Sequence, residues 1–215
     1  AHALAAFGFG LAIWVIAGSA AILAHRVRLG QVPFATSLHL ARITPRSVYG
    51  LVLAHAGIGI AVAGITAMSA WKQEELRSLP VGGQLDVGGY HVTLKSVTQA
   101  AGPNFQAERG LFEVGSNGQL ISMLSAERRY YPVRRFQTTE AGIYTNLFSN
   151  VYLAIGEKSG NEWTVRAYYH PLAPWIWFGP MVMALGGFVS LSDRRFRVGA
   201  PRRARGPAPA LAPAE

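Results

Sequence analysis

Half of the 215 residues are hydrophobic and only 14% are charged, a composition unusual for a soluble globular domain and typical of a chain with membrane spans. The formal charge of +9 would also suit a nucleic-acid-binding protein, but the basic residues flank the apolar segments, so we attribute the charge to membrane topology and expect no nucleic-acid partner. The chain has no cysteine, which excludes disulfides and the CxxCH motif of a c-type cytochrome.

Three segments are predicted to cross the membrane as helices: residues 4–24, 47–71 and 171–192. None contains Asp, Glu, Lys or Arg, and each is long enough to span a hydrocarbon core of roughly 30 Å. The first is not read as a signal peptide, because it lacks a basic start and is followed by arginines instead of a small-residue cleavage site.

The arginines predict the orientation of these spans. Residues 25–46 carry four arginines and no acid, and the segment after the third span carries six, so both should be cytoplasmic. Residues 72–170 and the N-terminus should then be periplasmic, in a multi-pass protein of the bacterial cytoplasmic (inner) membrane. A chain that begins outside and enters a span almost at once is expected to be cut from a longer protein or to be one piece of a split one.

Residues 72–170 predict an external antiparallel β domain, or a small barrel, between the second and third spans. Residues 90–97 alternate apolar and polar side chains, and Asn117–Gly118 separates two further apolar runs as a hairpin turn would. A second hairpin is expected around residues 157–162. The Pro- and Ala-rich tail, residues 193–215, is predicted to be disordered and cytoplasmic.

Residues 126–142 interrupt this strand pattern with four arginines. They are Arg128, Arg129, Arg134 and Arg135. Such a cluster could dock a negatively charged partner or cofactor carboxylates. The residues by themselves favour a solvated loop instead.

His55 is the residue that stands out in the second span. It lies nine residues after Arg46, which places it roughly 13 Å into the membrane as a helix. An ionisable side chain at that depth is costly without a partner and is therefore a functional candidate. The other five histidines lie near span ends, in a loop or on a strand, where a surface or interface role is expected.

Small residues run along the same segment. Gly50, Ala54, Gly57, Ala61 and Gly64 form a stripe that admits either another helix or a flat group. Gly59 lies one turn beyond His55 and could leave room for a planar ligand. A stripe that packs helices, with His55 hydrogen-bonded to a neighbouring helix, and a proton relay both remain open.

No Asp, Glu or Cys joins His55 in any predicted span. This argues against a proton pump and against a zinc or iron–carboxylate site within the chain. A single neutral imidazole suits haem iron best, and haem would often require a second axial ligand. His25, at the cytoplasmic end of the first span, is too shallow to oppose His55, so that ligand must come from elsewhere.

Longer stretches resemble a known family. The chain reads ITPRSVYGLVLAHAGIGIAVAGI, GGQLDVGGYHVTLKSV, AGPNFQAERGLFEV, ERRYYPVRRFQTTEAGIYTNLFSNVYLAIGE and HPLAPWIWFGPMVMALGGFVSLSDRRFR in this order. These stretches resemble the C-terminal part of the cytochrome c-type biogenesis protein CcmF and its NrfE relatives. The resemblance covers nearly the whole chain.

The resemblance implies a role in attaching haem covalently to apocytochrome c in the periplasm. In that family two intramembrane histidines hold a haem b, and the second corresponds to His55. That haem would keep the iron of the transferred haem reduced. The first histidine and the tryptophan-rich WWD segment, which receives haem from a periplasmic haem chaperone, are missing here. The implied partners are the N-terminal part of the haem lyase, the chaperone, apocytochrome c and its thiol-reducing partner.

We therefore expect the C-terminal membrane portion of a cytochrome c haem lyase, unable to ligate haem alone. His55 would be the axial ligand of haem b, and the four arginines would dock assembly proteins or the apocytochrome. The alternative is a membrane-anchored assembly or adaptor protein with a periplasmic β domain and no cofactor. A small transporter is disfavoured, because the spans carry no charges and no broken helices.

Overall fold

The computed structural model describes residues 2–193 and joins a bundle of apolar helices to a β domain. Three helices are long and apolar enough to cross a membrane: α1 (His2–Arg26), α3 (Arg46–Trp71) and α4 (Ala173–Leu191). The β domain lies between α3 and α4 in the chain, so the predicted fold class is confirmed. The tail predicted to be disordered lies, apart from Asp193, outside the described residues.

A short helix, α2 (Phe34–Ile43), occupies part of the segment that was predicted to be a loop. It follows Pro33 and stops at Thr44, whose N–H bonds to the carbonyls of Leu40 and Ala41; Pro45 cannot continue it. Sequence periodicity missed α2 because ten residues make fewer than three turns, too short a window for a pattern.

α3 is the central helix of the bundle and packs against both α1 and α4. Glycines allow the backbones to approach: a Cβ added to Gly57 would lie 2.6 Å from the carbonyl oxygen of Gly179 in α4. On α1, Ala5, Ala12 and Ser19 are buried at intervals of seven residues, as expected for a helix that presents one narrow stripe to its neighbour. Small residues thus replace the large apolar side chains of a soluble helix interface.

The β domain is a sandwich of two antiparallel sheets with open edges, which corrects the suggestion of a small barrel. One sheet has the order β1-β9-β8-β7 and the other β2-β3-β4-β5-β6. The strands are β1 (Gln73–Pro80), β2 (Gln84–Val87), β3 (Tyr90–Ala101), β4 (Gln106–Ser116), β5 (Gln119–Tyr131), β6 (Phe136–Glu140), β7 (Gly142–Thr145), β8 (Ser149–Ser159) and β9 (Glu162–Pro171).

Alternating apolar residues from both sheets fill the sandwich core. Phe112, Leu94, Leu153 and Val165 are fully buried there, and Trp163 closes one end. Both predicted hairpins are present. In the β4–β5 turn Asn117 and Gly118 have φ angles of +52° and +73°, the left-handed conformation that a two-residue hairpin turn requires.

The sandwich joins the helices without linkers. One residue separates the end of α3 from β1, and one residue, Leu172, separates β9 from α4. Leu172 has a φ of +52°, and its N–H donates to the carbonyl of Phe148 at 2.6 Å. The sandwich therefore sits directly on one end of the α3–α4 pair.

The opposite end of that pair is closed by Asp193. Its carboxylate oxygen Oδ2 accepts a hydrogen bond from the backbone N–H of Ser47 at 3.1 Å, in the first turn of α3. Pro45, the residue before the helix, offers no side-chain acceptor. A carboxylate that follows α4 therefore caps α3 and fixes the two helix ends together.

Replacing Asp193 by alanine should lower the free energy of unfolding by about 1 kcal/mol, because the first turn of α3 loses both an acceptor and a negative charge. Thermal unfolding of the full chain in detergent measures the change. Asp193→Asn keeps an acceptor oxygen and should lose less than Asp193→Ala. Equal stability of the wild type and Asp193→Ala would contradict the capping role.

Candidate functional site

His55 lies on α3 with its side chain exposed, and its ring is tied to its own helix. Nδ1 is 2.9 Å from the carbonyl oxygen of Leu51, one turn earlier. A carbonyl only accepts, so Nδ1 donates its hydrogen in this bond, and Nε2 is the ring nitrogen left for another partner. Histidines that bind metals through Nε2 are commonly oriented by this kind of hydrogen bond from Nδ1 to a backbone carbonyl. The imidazole of His55 is thus oriented by its own helix, and Nε2 is the nitrogen available to act as a ligand.

The surface around His55 is apolar and open. Leu51, Ile58 and Ile65 share the exposed side of α3 with His55. Leu51 also lines two open grooves: one of about 680 Å³ between α3 and α4, and one of about 580 Å³ between α3 and α1. An apolar planar group could therefore approach this side of α3 without displacing any of the described helices.

The small-residue stripe does not face this surface. Gly50, Gly57 and Gly64 each lie against α4, where an added Cβ would come within 2.9 Å of α4 atoms. His55 lies about 140° around the helix from Gly50. Of the two uses predicted for the stripe, the structure supports helix packing.

Gly59 lies against α1, and its place beside a planar ligand stays a prediction. A Cβ there would lie 2.5 Å from Cγ1 of Ile16 and 2.9 Å from the carbonyl oxygen of Ala12, both in α1. Residues four apart on a helix differ by only about 40° in direction, so spacing could not show that α1 covers Gly59 and leaves His55 exposed.

The four arginines do not form one face. Arg128 and Arg129 are successive residues of β5, and side chains that follow one another on a strand point to opposite sides of the sheet. Arg134 and Arg135 lie in the turn before β6. The segment predicted to be a solvated loop is therefore mostly strand. The alternation of apolar and polar residues could not predict these strands, because polar residues occupy both faces where β5 pairs with β6.

Carboxylates partner the two strand arginines. Arg128 lies 3.4 Å from Glu108 and 3.0 Å from Glu157, which belong to different sheets. Arg129 contacts Glu127 at 2.8 Å and Glu140 at 3.3 Å, and its guanidinium stacks over Phe105. These contacts give Arg128 and Arg129 a structural role, since they join sheet to sheet and strand to strand.

Glu127 is the buried centre of this charge network. It accepts hydrogen bonds from Nε of Arg109 at 2.6 Å and from Nε of Arg129 at 2.8 Å. Burial raises the pKa of its carboxyl, but the hydrogen bonds from Arg129 and Arg109 outweigh burial, so the net pKa is lowered. Bonding to Glu127 in turn raises the pKa of Arg129.

A lowered pKa in the folded state makes stability depend on pH. The ionised Glu127 stabilises the sandwich at pH values above its unfolded pKa of about 4.5, and this contribution is lost as the pH falls through the lowered folded pKa. The melting temperature of the full chain should therefore drop between pH 5 and about pH 3.

Glu127→Gln, which cannot ionise, should lower stability at pH 7 by about 1–3 kcal/mol and flatten this acid dependence. Loss of the β-sheet circular-dichroism signal reports unfolding of the sandwich, because tryptophan emission would mix Trp163 with four other tryptophans. Glu162→Gln removes a carboxylate at an exposed strand end and is the matched control. An acid profile unchanged by Glu127→Gln would contradict the role of the network.

His170 is a residue whose surroundings the sequence did not reveal. It lies at the end of β9 beside the first turn of α4, with Nδ1 3.0 Å from Oδ1 of Asn150 and its ring stacked on Tyr168. Partial burial, and then the positive charge of Lys72, lower the pKa of His170. The ring is therefore neutral at pH 7 and supports the junction between the sandwich and the helices.

Within residues 2–193 no group of three or more His, Cys, Asp or Glu side chains is placed to hold a metal ion. Among the described residues His55 therefore belongs to no ligand cluster, and the other histidine of a described span, His25, lies in the last turn of α1. The donor set that the structure offers, one imidazole on an open apolar surface, fits the axial position of a haem iron. It does not fit the three or four protein ligands of a zinc site.

Comparison with known proteins gives the same boundaries as the fold. A family model described as the CcmF C-terminal beta-sandwich matches residues 70–171, which are the β domain and its two junctions. A solved structure described as cytochrome c heme lyase CcmF superposes with a TM-score of 0.66 over 88% of the chain and 30% of that protein, at 20% identity. That likeness concerns the fold alone.

Sequence relatives extend the match across the helices. CycK of Bradyrhizobium diazoefficiens, a cytochrome c-type biogenesis protein, is 40% identical over 94% of the chain and 31% of its own length. CcmF of Pseudomonas aeruginosa is 35% identical over 91% and 30%, and CcmF of Escherichia coli is 32% identical over 91% and 29%. The chain spans about a third of the length of these relatives.

The three apolar helices and these relatives together indicate a multi-pass protein of the inner membrane. The helix–sandwich–helix order, the matched sandwich and the relatives lead to one assignment. The chain belongs to the CcmF family of cytochrome c biogenesis proteins and corresponds to the C-terminal part of its longer members.

Proposed function

We propose that this chain is the C-terminal membrane portion of a cytochrome c haem lyase and that His55 is an axial ligand of haem b. The observation that carries the proposal is the geometry of His55. Its imidazole is exposed on a membrane-spanning helix, and Nδ1 is occupied by Leu51, so that Nε2 is the available nitrogen. A merely structural histidine in a span would be expected to use its polar atoms against a neighbouring helix.

The haem, when bound, would supply a one-electron centre that keeps the iron of a transferred haem reduced. The residues of this chain hold and orient the ligand: Leu51 fixes the ring, and α1 and α4 brace α3 on its other sides. A second ligand to the haem would have to be supplied by the N-terminal part of the haem lyase, because His25 and His39 lie at the end of α1 and on α2, away from the middle of the spans.

The sandwich would lie in the periplasm, where the apocytochrome is matured, with the arginine-rich side of the helices in the cytoplasm. This orientation follows from Arg26, Arg28, Arg42 and Arg46 on the side opposite the sandwich. The WWD segment of the missing part would take haem from the periplasmic haem chaperone. Apocytochrome c and its thiol-reducing partner would meet the complex on the sandwich side.

Docking of a partner to the proposed arginine surface would rest on Arg134 and Arg135, because Arg128 and Arg129 are held by carboxylates within the sandwich. Arg134 also lines a groove of about 570 Å³ with Phe136 and Val133, which offers both charge and apolar surface.

The test is reconstitution of the divided lyase. The chain is co-expressed with an N-terminal CcmF portion in cells that lack their own CcmF, and covalent haem on a reporter cytochrome c is measured by haem staining. Attachment that requires both parts supports the proposal. Assembly of both parts into a complex that shows no b-type spectrum would instead indicate an adaptor without a cofactor.

A further inference from the structure

We propose that the turn between β7 and β8, residues 146–148, inserts into the lipid headgroup and acyl boundary of the leaflet that faces the sandwich. Its tip carries two large apolar side chains, Leu147 and Phe148, which are 65% and 60% exposed. No charged residue occurs between Glu140 and Glu157, so the turn lies in the middle of a long uncharged segment. The partner is the lipid surface itself.

The depth of the turn follows from its bonds to α4. Nε1 of Trp175 donates to the carbonyl of Leu147 at 3.0 Å, and the N–H of Leu172 donates to the carbonyl of Phe148 at 2.6 Å. α4 has 19 residues, hence about 28 Å of length for a hydrocarbon core of about 30 Å. The first turn of α4 must therefore lie at the membrane boundary, and the β7–β8 turn is held at the same level.

The turn is also suited to a region with little water. Oδ1 of Asn146 accepts the N–H groups of Phe148 and Ser149, both at 2.8 Å, and the N–H of Asn146 donates to the carbonyl of Ser149. Nδ2 of Asn146 donates to the hydroxyl of Tyr90. These bonds satisfy the N–H groups of Asn146, Phe148 and Ser149 within the protein, which lowers the cost of bringing the turn to the membrane boundary.

Neighbouring side chains continue the apolar surface. Trp177 and Phe178, in the first two turns of α4, are 76% and 52% exposed. Tryptophan is enriched at this depth of the bilayer because its ring is apolar and its N–H is polar. Leu147 and Phe148 add exposed apolar surface beside the start of α4, so the turn gives the sandwich a third attachment point in addition to the ends of α3 and α4. Three attachment points fix the tilt of the sandwich relative to the membrane surface, whereas two would allow it to tilt.

Single-cysteine labelling tests the proposal cleanly, because the chain has no cysteine of its own. Leu147→Cys and Phe148→Cys are each labelled with an environment-sensitive fluorophore in the full chain and placed in phosphatidylcholine nanodiscs. Quenching is then compared between nitroxides on the headgroup, nitroxides deep in the acyl chain and aqueous iodide.

Val133→Cys is the matched control, since Val133 is 92% exposed but lies at the far end of the sandwich. The ion pair between Arg128 and Glu157 places that part of β5 beside the far end of β8, and Val133 lies farther along the chain. Its label should be quenched by iodide and not by lipid nitroxides.

Labels at positions 147 and 148 should be quenched at least threefold more strongly by the shallow nitroxide than the label at Val133, and should be protected from iodide. Iodide quenching equal to that at Val133 would overturn the proposal. Protection from both iodide and nitroxide would overturn it as well, because it would mean that protein covers the turn. Unchanged circular dichroism confirms that each variant folds, and both substituted side chains are exposed.

Discussion

His55→Ala should abolish the b-type haem absorbance of the reconstituted complex, with a loss of the Soret and α bands of at least tenfold. The physical reason is that the helix offers no other nitrogen in place of Nε2. Leu51, Ile58 and Ile65, which surround His55 on the exposed side of α3, carry only hydrocarbon. The reduced-minus-oxidised visible spectrum of the purified complex measures the loss, and co-purification of the two parts shows that the complex still assembles.

Rescue separates a ligand from a packing residue. His55→Gly leaves a gap beside Leu51 that imidazole from solution can enter, and millimolar imidazole should restore part of the absorbance if Nε2 coordinates iron. A residue that only packed helices would not be rescued in this way. His25→Ala is the control, since His25 is also exposed but lies in the last turn of α1. A full b-type spectrum in His55→Ala would refute the ligand assignment.

Lack of Soret absorbance in the wild-type complex would be a different result. It would contradict the proposed haem and favour the adaptor function. The proposed membrane contact of the β7–β8 turn is tested separately, by the labelling experiment.

The spans and the hairpins could be predicted from sequence because each depends on local chemistry. Apolar runs of sufficient length demand helices in lipid, and Asn117–Gly118 adopts the left-handed turn with little strain. The strands within residues 126–142 could not be predicted in this way, because ion pairs to Glu108, Glu127 and Glu157 stabilise them. Glu108 and Glu157, the partners of Arg128, are distant from it in sequence, and no periodicity marks these pairs.

The candidate site was predictable in one respect and not in another. His55 could be selected by its depth alone, since a polar group within a span is costly wherever its neighbours lie. The orientation of its surroundings could not, because a stripe of small residues has the same pattern whether it admits a helix or a cofactor. Only the positions of α1 and α4 show that Gly57 and Gly59 are covered while His55 is exposed.

Gly186 of α4 lies where α4 contacts α3, and we expect it to affect His55 although it touches no ligand. A Cβ on Gly186 would lie 2.6 Å from the N atom of Ala54 and 2.6 Å from the carbonyl oxygen of Gly50. Both neighbours are backbone atoms of a helix, so neither can rotate away as a side-chain end could. The two helices would have to separate, and Ala54 is the residue immediately before His55.

Gly186→Ala should therefore lower the free energy of unfolding by about 1–3 kcal/mol, toward the upper end because backbone cannot repack. Gly187→Ala is a closely matched control: it is the adjacent residue of the same helix, and an added Cβ there meets nothing within 4 Å. Since alanine favours helix by up to about 1 kcal/mol over glycine, Gly187→Ala should be neutral or slightly stabilising.

Thermal melting of both variants in the same detergent measures the difference in stability. The visible spectrum of the reconstituted complex shows whether the change in helix packing alters haem binding at His55. Because a shift of α3 against α4 displaces the ring of His55, Gly186→Ala should also weaken haem retention, whereas Gly187→Ala should not. Two variants of equal stability would mean that α3 and α4 are not held at backbone distance. The rigid support for His55 would then have to come from the N-terminal portion proposed to complete the lyase.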